Sequence, residues 1–577
     1  MNTRQLVAQI RSSSATGRLL ILCVVIGALA GGTCVVFSWL LETVQHLLLD
    51  GLGRHREADP NRLWLFVLPG IGGLVSGYLC TRFAPEAAGP GTDAAVDAYH
   101  HHGGRVRTRV PFVKMVTAAV TLGTGGSAGR EGPLTQIGGG IGSSIATWLK
   151  LSNQERRILM AAGMAAGVGA MFHAPLAGAL FAAEILYREM DLEHEVIVPS
   201  FIASIIAYSV YASIVGFGPV YAAPGFRFDD PLQLFPYAVL ALVVAAGATV
   251  FTRLWRVVRD AFKRMPLPVF LKPAVGGLLA GSIGCFIPDA LGTGHHLLQG
   301  AFDGAFTIRF LVLLVVAKMI TTSFTIGSGA SGGKLGPSLV LGGSLGGIVG
   351  LVAKDLFPAL EIEAGAFVVV GMAGFFAAAA NCPISTIIMV SELTGNYQLL
   401  VPSMLVCVLA YLMVSRHGIY DAQLPSRLEA PSKMGNMLGA VLKTISIREA
   451  ANHTRDLIVV TEAMSLRDII GLYTSSDQLA FPVVDGTGSL TGMIEGRDIR
   501  RALAEEGIAD LVVARDLARP HEVIDIESTL LDAVQRMTLT GLEDLILVTQ
   551  EDVTRPVGIL EHQEVLHAYD RKLMEKT

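Results

Sequence analysis

The sequence predicts an all-α domain that crosses a membrane several times, built from duplicated halves and followed by a small soluble α/β pair. Three observations lead there. The composition changes near His417, a glycine-rich block recurs within the apolar part, and a shorter pattern recurs in the tail. Of the 577 residues, 51% are hydrophobic and only 16% charged, and mean hydropathy is +0.53. A soluble globular chain carries about 25% charged residues, so the bias is toward lipid. It is confined to the first part, where apolar stretches run over 19–49, 63–79, 196–215, 234–250, 310–326 and 399–414. Several reach the ~20 residues that cross a hydrocarbon core, and others fall short. After His417, charged residues are spread through to Thr577. The expected organisation is an N-terminal segment over 1–18, a membrane domain over 19–425, a linker over 426–444, and two soluble halves over 445–505 and 511–570.

Along the chain, Arg4, Arg11 and Arg18 come first, ahead of the first apolar stretch. They favour a cytoplasmic N-terminus, and the charged tail is placed on the same side. That stretch is too long for a signal peptide and has no convincing cleavage site. The net charge of −5 gives no sign of a nucleic-acid partner. All six cysteines lie in apolar segments without a CxxC, so reduced core thiols are expected. His100–His102 reads as a polar loop, since no Cys or carboxylate spacing supports a metal. No nucleophile–base set or phosphate loop stands out, so an enzyme is not expected.

The duplication comes next. GTGGSAGREGPLTQIGGGIG from Gly123 is answered by GSGASGGKLGPSLVLGGSLG from Gly327, an offset of 204. Arg130 is answered by Lys334, and Pro133 by Pro337. GMAAGVGAMFHAPLAGALFAAEI from Gly163 is answered by GMAGFFAAAANCPISTIIMVSEL from Gly371, an offset of 208. There Pro175 meets Pro383 and Glu184 meets Glu392. Duplicated halves with Gly/Pro-broken apolar segments at matching places point to a transport site near the midplane. Gly-x-Gly-Pro ends a coil and begins a helix, because proline fits the first helical turn. A helix start leaves N–H groups unpaired and carries roughly +0.5 charge. Two such starts aimed at one point make an anion site without a full positive charge, which a Lys or Arg would turn into a trap.

These residues resemble the CLC family of chloride channels and proton-coupled chloride exchangers. Gly129-Arg130-Glu131-Gly132-Pro133 matches the GREGP motif, and Gly333-Lys334-Leu335-Gly336-Pro337 is similar to GxFxP. Ser391–Tyr397 and His417-Gly418-Ile419-Tyr420 resemble the later segments, the last carrying the anion-contacting tyrosine. The resemblance covers about 20 to 425. It implies a homodimer, inverted halves, and one pathway per subunit for chloride or a similar small anion, with protons as a second partner. It makes Glu131 the gate. It gives anion contacts to Gly129, Arg130, Gly132, Lys334, Leu335, Gly336 and Tyr420. Gly89-Pro90-Gly91-Thr92 stands where the family has GSGIP. Pro90 replaces the serine donor, as in plant nitrate-carrying relatives, so nitrate competes with chloride as the preferred anion, and Thr92 is a candidate hydroxyl. Aligning LAGALFAAEI puts Ile185 where many exchangers carry an inner proton glutamate, with Glu184 one position before. Ile185 cannot carry a proton, which leans toward a channel or loose coupling.

An ionised carboxylate in a membrane domain is costly, and functional by default. A carboxylate can plug a site built for an anion, and protonation or displacement frees it. A structural pair with Arg130 is the plainer reading of Glu131, but adjacent helical residues point about 100° apart. Arg130 and Lys334 are read as structural or field-setting. Glu184 and Glu392 are read first as helix-end carboxylates paired within the fold, with Glu184 kept as a candidate on a proton path.

In the tail, Ser465-Leu466-Arg467-Asp468, AFPVVD and GMIEGRD recur as Thr529-Leu530-Leu531-Asp532, DLILVTQ and GILEHQE, offset by 64 to 66. This resembles a tandem CBS pair. Asp498 and Glu564 are the candidate nucleotide contacts, but Glu495 and Glu561 replace the phosphate-binding hydroxyl. No cofactor is expected; adenine-nucleotide binding stands behind a structural role. A fluoride carrier and a non-transporting membrane nucleotide sensor are the weaker alternatives.

Overall fold

The computed structural model describes residues 15–49, 63–221, 223, 225–414, 418–431, 439, 441–451, 457–503 and 511–574. Arg4, Arg11, His417 and residues 432–438 of the expected linker lie outside the described residues. The chain forms two compact units, Met1–Pro431 and Ser432–Thr577.

The first unit holds sixteen α-helices among the described residues. The first eight are α1 (Ala15–Gln45), α2 (Leu63–Phe83), α3 (Gly91–His101), α4 (Arg109–Gly123), α5 (Glu131–Trp148), α6 (Asn153–Met171), α7 (Pro175–Glu184) and α8 (His194–Val215). The second eight repeat them in order: α9 (Leu234–Arg264), α10 (Lys272–Gly284), α11 (His295–Phe302), α12 (Ile308–Gly327), α13 (Leu335–Leu356), α14 (Ala364–Ala380), α15 (Pro383–Thr394) and α16 (Leu400–Val414). Among the described residues six helices are long and apolar enough to cross a bilayer: those containing α1, α2, α8, α9, α12 and α13. Large apolar side chains face outward on the rim, among them Val25 and Trp39 on α1, Ile214 on α8, Val257 on α9 and Val316 on α12. Such a surface suits lipid, and the chain is an integral membrane protein. Helices too short to span, such as α7 and α15, are kept from lipid by their neighbours, as unpaired backbone requires.

The interior is lined with small residues, which lets backbones approach. A Cβ on Gly138 would lie 2.1 Å from Gly163 O, where α5 meets α6. The matching contact in the second half puts a Gly342 Cβ 2.3 Å from Gly371 O. Between these blocks the offset grows by four because α13 has 22 residues and α5 has 18, one extra turn. The halves also lock head to tail. Glu184, at the end of α7, accepts from Ile384 N (2.9 Å), Ser385 N (2.7 Å) and Ser385 Oγ (2.5 Å) at the start of α15. Glu392, near the end of α15, accepts from Ala177 N (2.8 Å) and Leu176 N (3.3 Å) at the start of α7. Reciprocal capping of this kind requires the two helices to run antiparallel, as an inverted pair does.

The second unit repeats as well. In each half a short strand runs parallel to the first strand of a hairpin: β1 (Val460–Thr461), β2 (Ala480–Val484) and β3 (Leu490–Glu495), then β4 (Val523–Asp525), β5 (Asp544–Val548) and β6 (Gly558–Glu561). Ser465 caps the helix Leu466–Ser475 through Asp468 N, and Thr529 caps Leu530–Thr540 through Asp532 N, as N-cap hydroxyls do.

Candidate anion site

Three helix starts from the two halves meet. Gly129 N donates to Gly333 O at 2.8 Å, so the turn before α5 is joined to the turn before α13. Gly91 N donates to Gly332 O, and Gly332 N to Gly89 O, both at 3.3 Å, which ties in the start of α3. Gly89 has φ +66, a left-handed turn suited to glycine. The crossing leaves no space for side chains. A Cβ on Gly132 would lie 2.7 Å from Gly333 Cα, and one on Gly91 2.3 Å from Gly132 O. The glycines quoted from the motifs are therefore what allows two helix N-termini to share one point.

The Glu131 side chain fills that point. It is 0% exposed. The position of a Gly336 Cβ is 3.0 Å from Glu131 Oε2 and 3.3 Å from Oε1, so the carboxylate of one half sits at the helix start of the other. Oε2 has no hydrogen-bond partner among the described residues. Oε1 lies 3.1 Å from His295 Nε2. No ion pair joins Arg130 to Glu131 among the described residues; the imidazole takes that place.

On the other side of the crossing, Tyr420 is 1% exposed and its hydroxyl finds no well-formed hydrogen bond among the described residues. Thr92, also buried, lies against it. A buried phenol with only the Thr92 hydroxyl beside it suits an anion. Lys334 is buried and held, not free: Nζ is 2.8 Å from Asp93 Oδ2, bonds Ile419 O, and lies 3.7 Å from the Trp255 ring centroid. Beyond it is a cavity of about 860 Å³ lined by Pro90, Asp93, Asp97, Trp255, Arg259 and Asp421. His101 and His102 flank Asp97 at 3.0 and 3.3 Å, and His100 bonds Leu186 O.

Glu184 has both carboxylate oxygens engaged by donors of α15, and Ile185 is fully buried. In the second unit Asp498 Oδ2 accepts from Glu495 N at 3.2 Å, and Glu564 Oε2 from Glu561 N at 3.2 Å. Both therefore cap helix starts, and Asp498 also pairs with Arg519. Burial pushes Asp544 up to about 7, with Glu561, Glu495 and Glu543 adding to it. The strand ends beside these caps are acidic, which disfavours phosphate.

Two groups of residues escaped the motif reading. Lys114 Nζ binds Gly89 O (2.7 Å) and Ala87 O (2.9 Å). Lys318 Nζ binds Gly292 O (2.8 Å), Ala290 O (3.3 Å) and Leu291 O (3.4 Å). Each lysine holds the loop before a short helix, α3 or α11. Their signal was in the sequence: Lys114-Met115 recurs as Lys318-Met319 at the offset of 204. His295 and Tyr221, whose hydroxyl bonds His295 Nδ1, carried no local signal.

Comparison with known proteins shows the family. Residues 72–415 match the family described as Voltage gated chloride channel, and 447–505 match the CBS domain. The chain is 33% identical over 409 residues to the H(+)/Cl(-) exchange transporters ClcA of Salmonella agona and Salmonella dublin, covering 69% of this chain and 86% of each relative. Among solved structures, a slow cyanobacterial Cl−/H+ antiporter aligns with TM-score 0.64 and 24% identity, over 70% of this chain and 96% of the other. A CLC-type fluoride/proton antiporter gives 0.62 and 23%, over 72% and 100%. A eukaryotic CLC transporter gives 0.58 and 19%, over 95% and 97%.

Proposed function

The chain belongs to the voltage-gated chloride channel (CLC) family, and we propose that it exchanges chloride for protons across a membrane through a pathway gated by Glu131. One observation carries this reading: a buried carboxylate from the first half occupies the helix start of the second half. Ionised, it competes with an anion for the dipoles of α5 and α13. Protonated or displaced, it leaves the place to chloride. Chloride enters from the 860 Å³ cavity past the hydroxyls of Thr92 and Tyr420, which stand in for the donor that Pro90 lacks. Lys334 is neutralised by Asp93, so this lysine does not hold the ion and release stays fast.

Arg4, Arg11 and Arg18 favour a cytoplasmic N-terminus. Arg18 pairs with Glu155 at the start of α6, and Gly103, beside the cavity's Arg105, packs on Asn153 of the same turn. The cavity is then the cytoplasmic mouth and His295 marks the outer one. Two copies assemble, each with its own pathway, and the C-terminal pair acts as their support, free of nucleotide.

The test is proton movement in proteoliposomes under a chloride gradient. Uphill proton transport that stops in Glu131→Gln is expected. Ile185, buried and apolar at the position of the inner proton glutamate, favours a second reading, a passive chloride channel; chloride current with no proton movement would select it. No flux of either ion refutes both.

A further inference from the structure

We propose that His295, oriented by Tyr221, is the proton carrier between the outer mouth and Glu131; this rests on the exchange reading above. Among the described residues His295 is the one side chain that hydrogen-bonds the Glu131 carboxylate, Nε2 to Oε1 at 3.1 Å. It is also partly exposed, 15% against 0% for Glu131. A proton reaching the buried oxygen from that side meets the imidazole first.

The imidazole is placed with care. His295 opens α11 after Gly294, whose φ of +77 turns the chain. The loop before it is clamped by three carbonyl bonds to Lys318. Tyr221 bonds Nδ1, stacks at 6.0 Å on the His295 ring, and is itself tied by its N–H to Leu393 O at 3.1 Å. The charges acting on the ring are Arg130 and Lys318 as cations and Glu131 as anion. His296, next on the helix, faces Asp289 at 3.4 Å instead.

The bonding fixes the tautomers. A phenol is far more often a donor than an acceptor toward neutral imidazole, so Tyr221 donates to Nδ1 and Nε2–H donates to Oε1 of the carboxylate. Delivery of a proton then runs in one sense. The Tyr221 O–H turns away, a proton from solvent binds Nδ1, and the Nε2 proton passes to Oε1. The ring carries two protons only between these two transfers and ends with one, now on Nδ1, and Glu131 becomes a neutral acid that no longer competes for the anion berth. Tyr221 accepts from Nδ1–H in that state. Reversal returns the proton outward.

The duplication gives this a counterpart. Gly89-Pro90-Gly91-Thr92 and Gly292-Thr293-Gly294-His295 occupy the same place in the two halves, each behind its clamped loop. One half presents a hydroxyl to the anion at the inner end; the other presents an imidazole to the gate at the outer end.

The full chain in proteoliposomes tests it, with proton and chloride fluxes followed separately across external pH 4.5–8, a window around the ordinary imidazole value of about 6.5. His295→Gln keeps an N–H toward Glu131 but cannot relay a proton. It should slow proton flux about 100-fold or more, the lower range for a positioned acid–base group, and the coupled chloride flux with it. In His295→Gly, imidazole added outside should restore proton flux with a bell-shaped dependence on pH. Tyr221→Phe, which keeps the ring, should slow proton flux several-fold and displace the pH profile. His295→Gln with proton flux within twofold of wild type and the same profile overturns the proposal. So does slowed flux in His295→Gly that added imidazole fails to restore. Should His295→Gln fail to fold, the Tyr221→Phe profile decides. A wild-type protein that moves no protons refutes the exchange reading itself, which the variants cannot do.

Discussion

Removing the Glu184 carboxylate should destabilise the membrane unit without touching the ion pathway. Its three partners are all donors, two backbone N–H groups and one hydroxyl at 2.5–2.9 Å, and the site is 0% exposed. In Glu184→Ala these donors are left buried. Each orphan costs about 1–3 kcal/mol, and the charge lost from a helix start adds up to ~2 kcal/mol. Water entering the void offsets part of this, so about 3–5 kcal/mol is expected, the range for breaking a buried charged pair. Glu392→Ala loses two bonds at a half-buried site, where water replaces them readily, and should cost only about 1–2 kcal/mol. Scaled to a unit of this size, each kcal/mol moves the midpoint by roughly 1–2 °C. Glu184→Ala should therefore melt roughly 3–10 °C below wild type in detergent, and Glu392→Ala about 1–4 °C below. Glu184→Gln, which keeps one acceptor, should fall between and transport protons at the wild-type ratio. A Glu184→Ala protein melting with wild type would sink the capping argument. So would a Glu184→Gln protein that melts normally but no longer moves protons, since the carboxylate would then be needed for titration.

Four further outcomes are expected. Glu131→Gln should conduct chloride with no dependence on external pH between 4 and 8, read by anion efflux; a retained wild-type profile counts against the gate. Gly333→Ala should disrupt the crossing, because its Cβ would lie 2.7 Å from Gly132 N; a loss of about 1–3 kcal/mol for overpacking and a fall in flux are expected, and wild-type melting together with wild-type flux refutes it. In the second unit, the folded state holds a proton on Asp544 up to about 7, where an ordinary aspartate releases it near 4. Its stabilising share is thus complete at low pH and is lost as pH rises to about 7; after screening at a partly exposed site this is about 1–2 kcal/mol. Urea titrations should find Asp544→Asn flatter with pH and more stable than wild type at pH 8. Calorimetry of Ser432–Thr577 with ATP and AMP should give no heat, and micromolar binding of either would overturn the structural assignment of the C-terminal pair.

The membrane class, the duplicated halves and the helix starts at Glu131 and Leu335 were all readable in the sequence, because each is a local or periodic property. Glycine where no side chain fits, proline where a helix begins, and a carboxylate where lipid should exclude one leave their mark at fixed spacing. Lys114 and Lys318 belong to the same class, since they obey the 204-residue offset. Only the tertiary structure decided that Glu131 rests on the other half's helix, that His295 rather than Arg130 holds it, and that Glu184 and Glu392 cap each other's helices. Those contacts join residues 164 to 215 positions apart. Pairing over such distances is set by how two inverted halves pack, and no local pattern of residues encodes which side chain will face which.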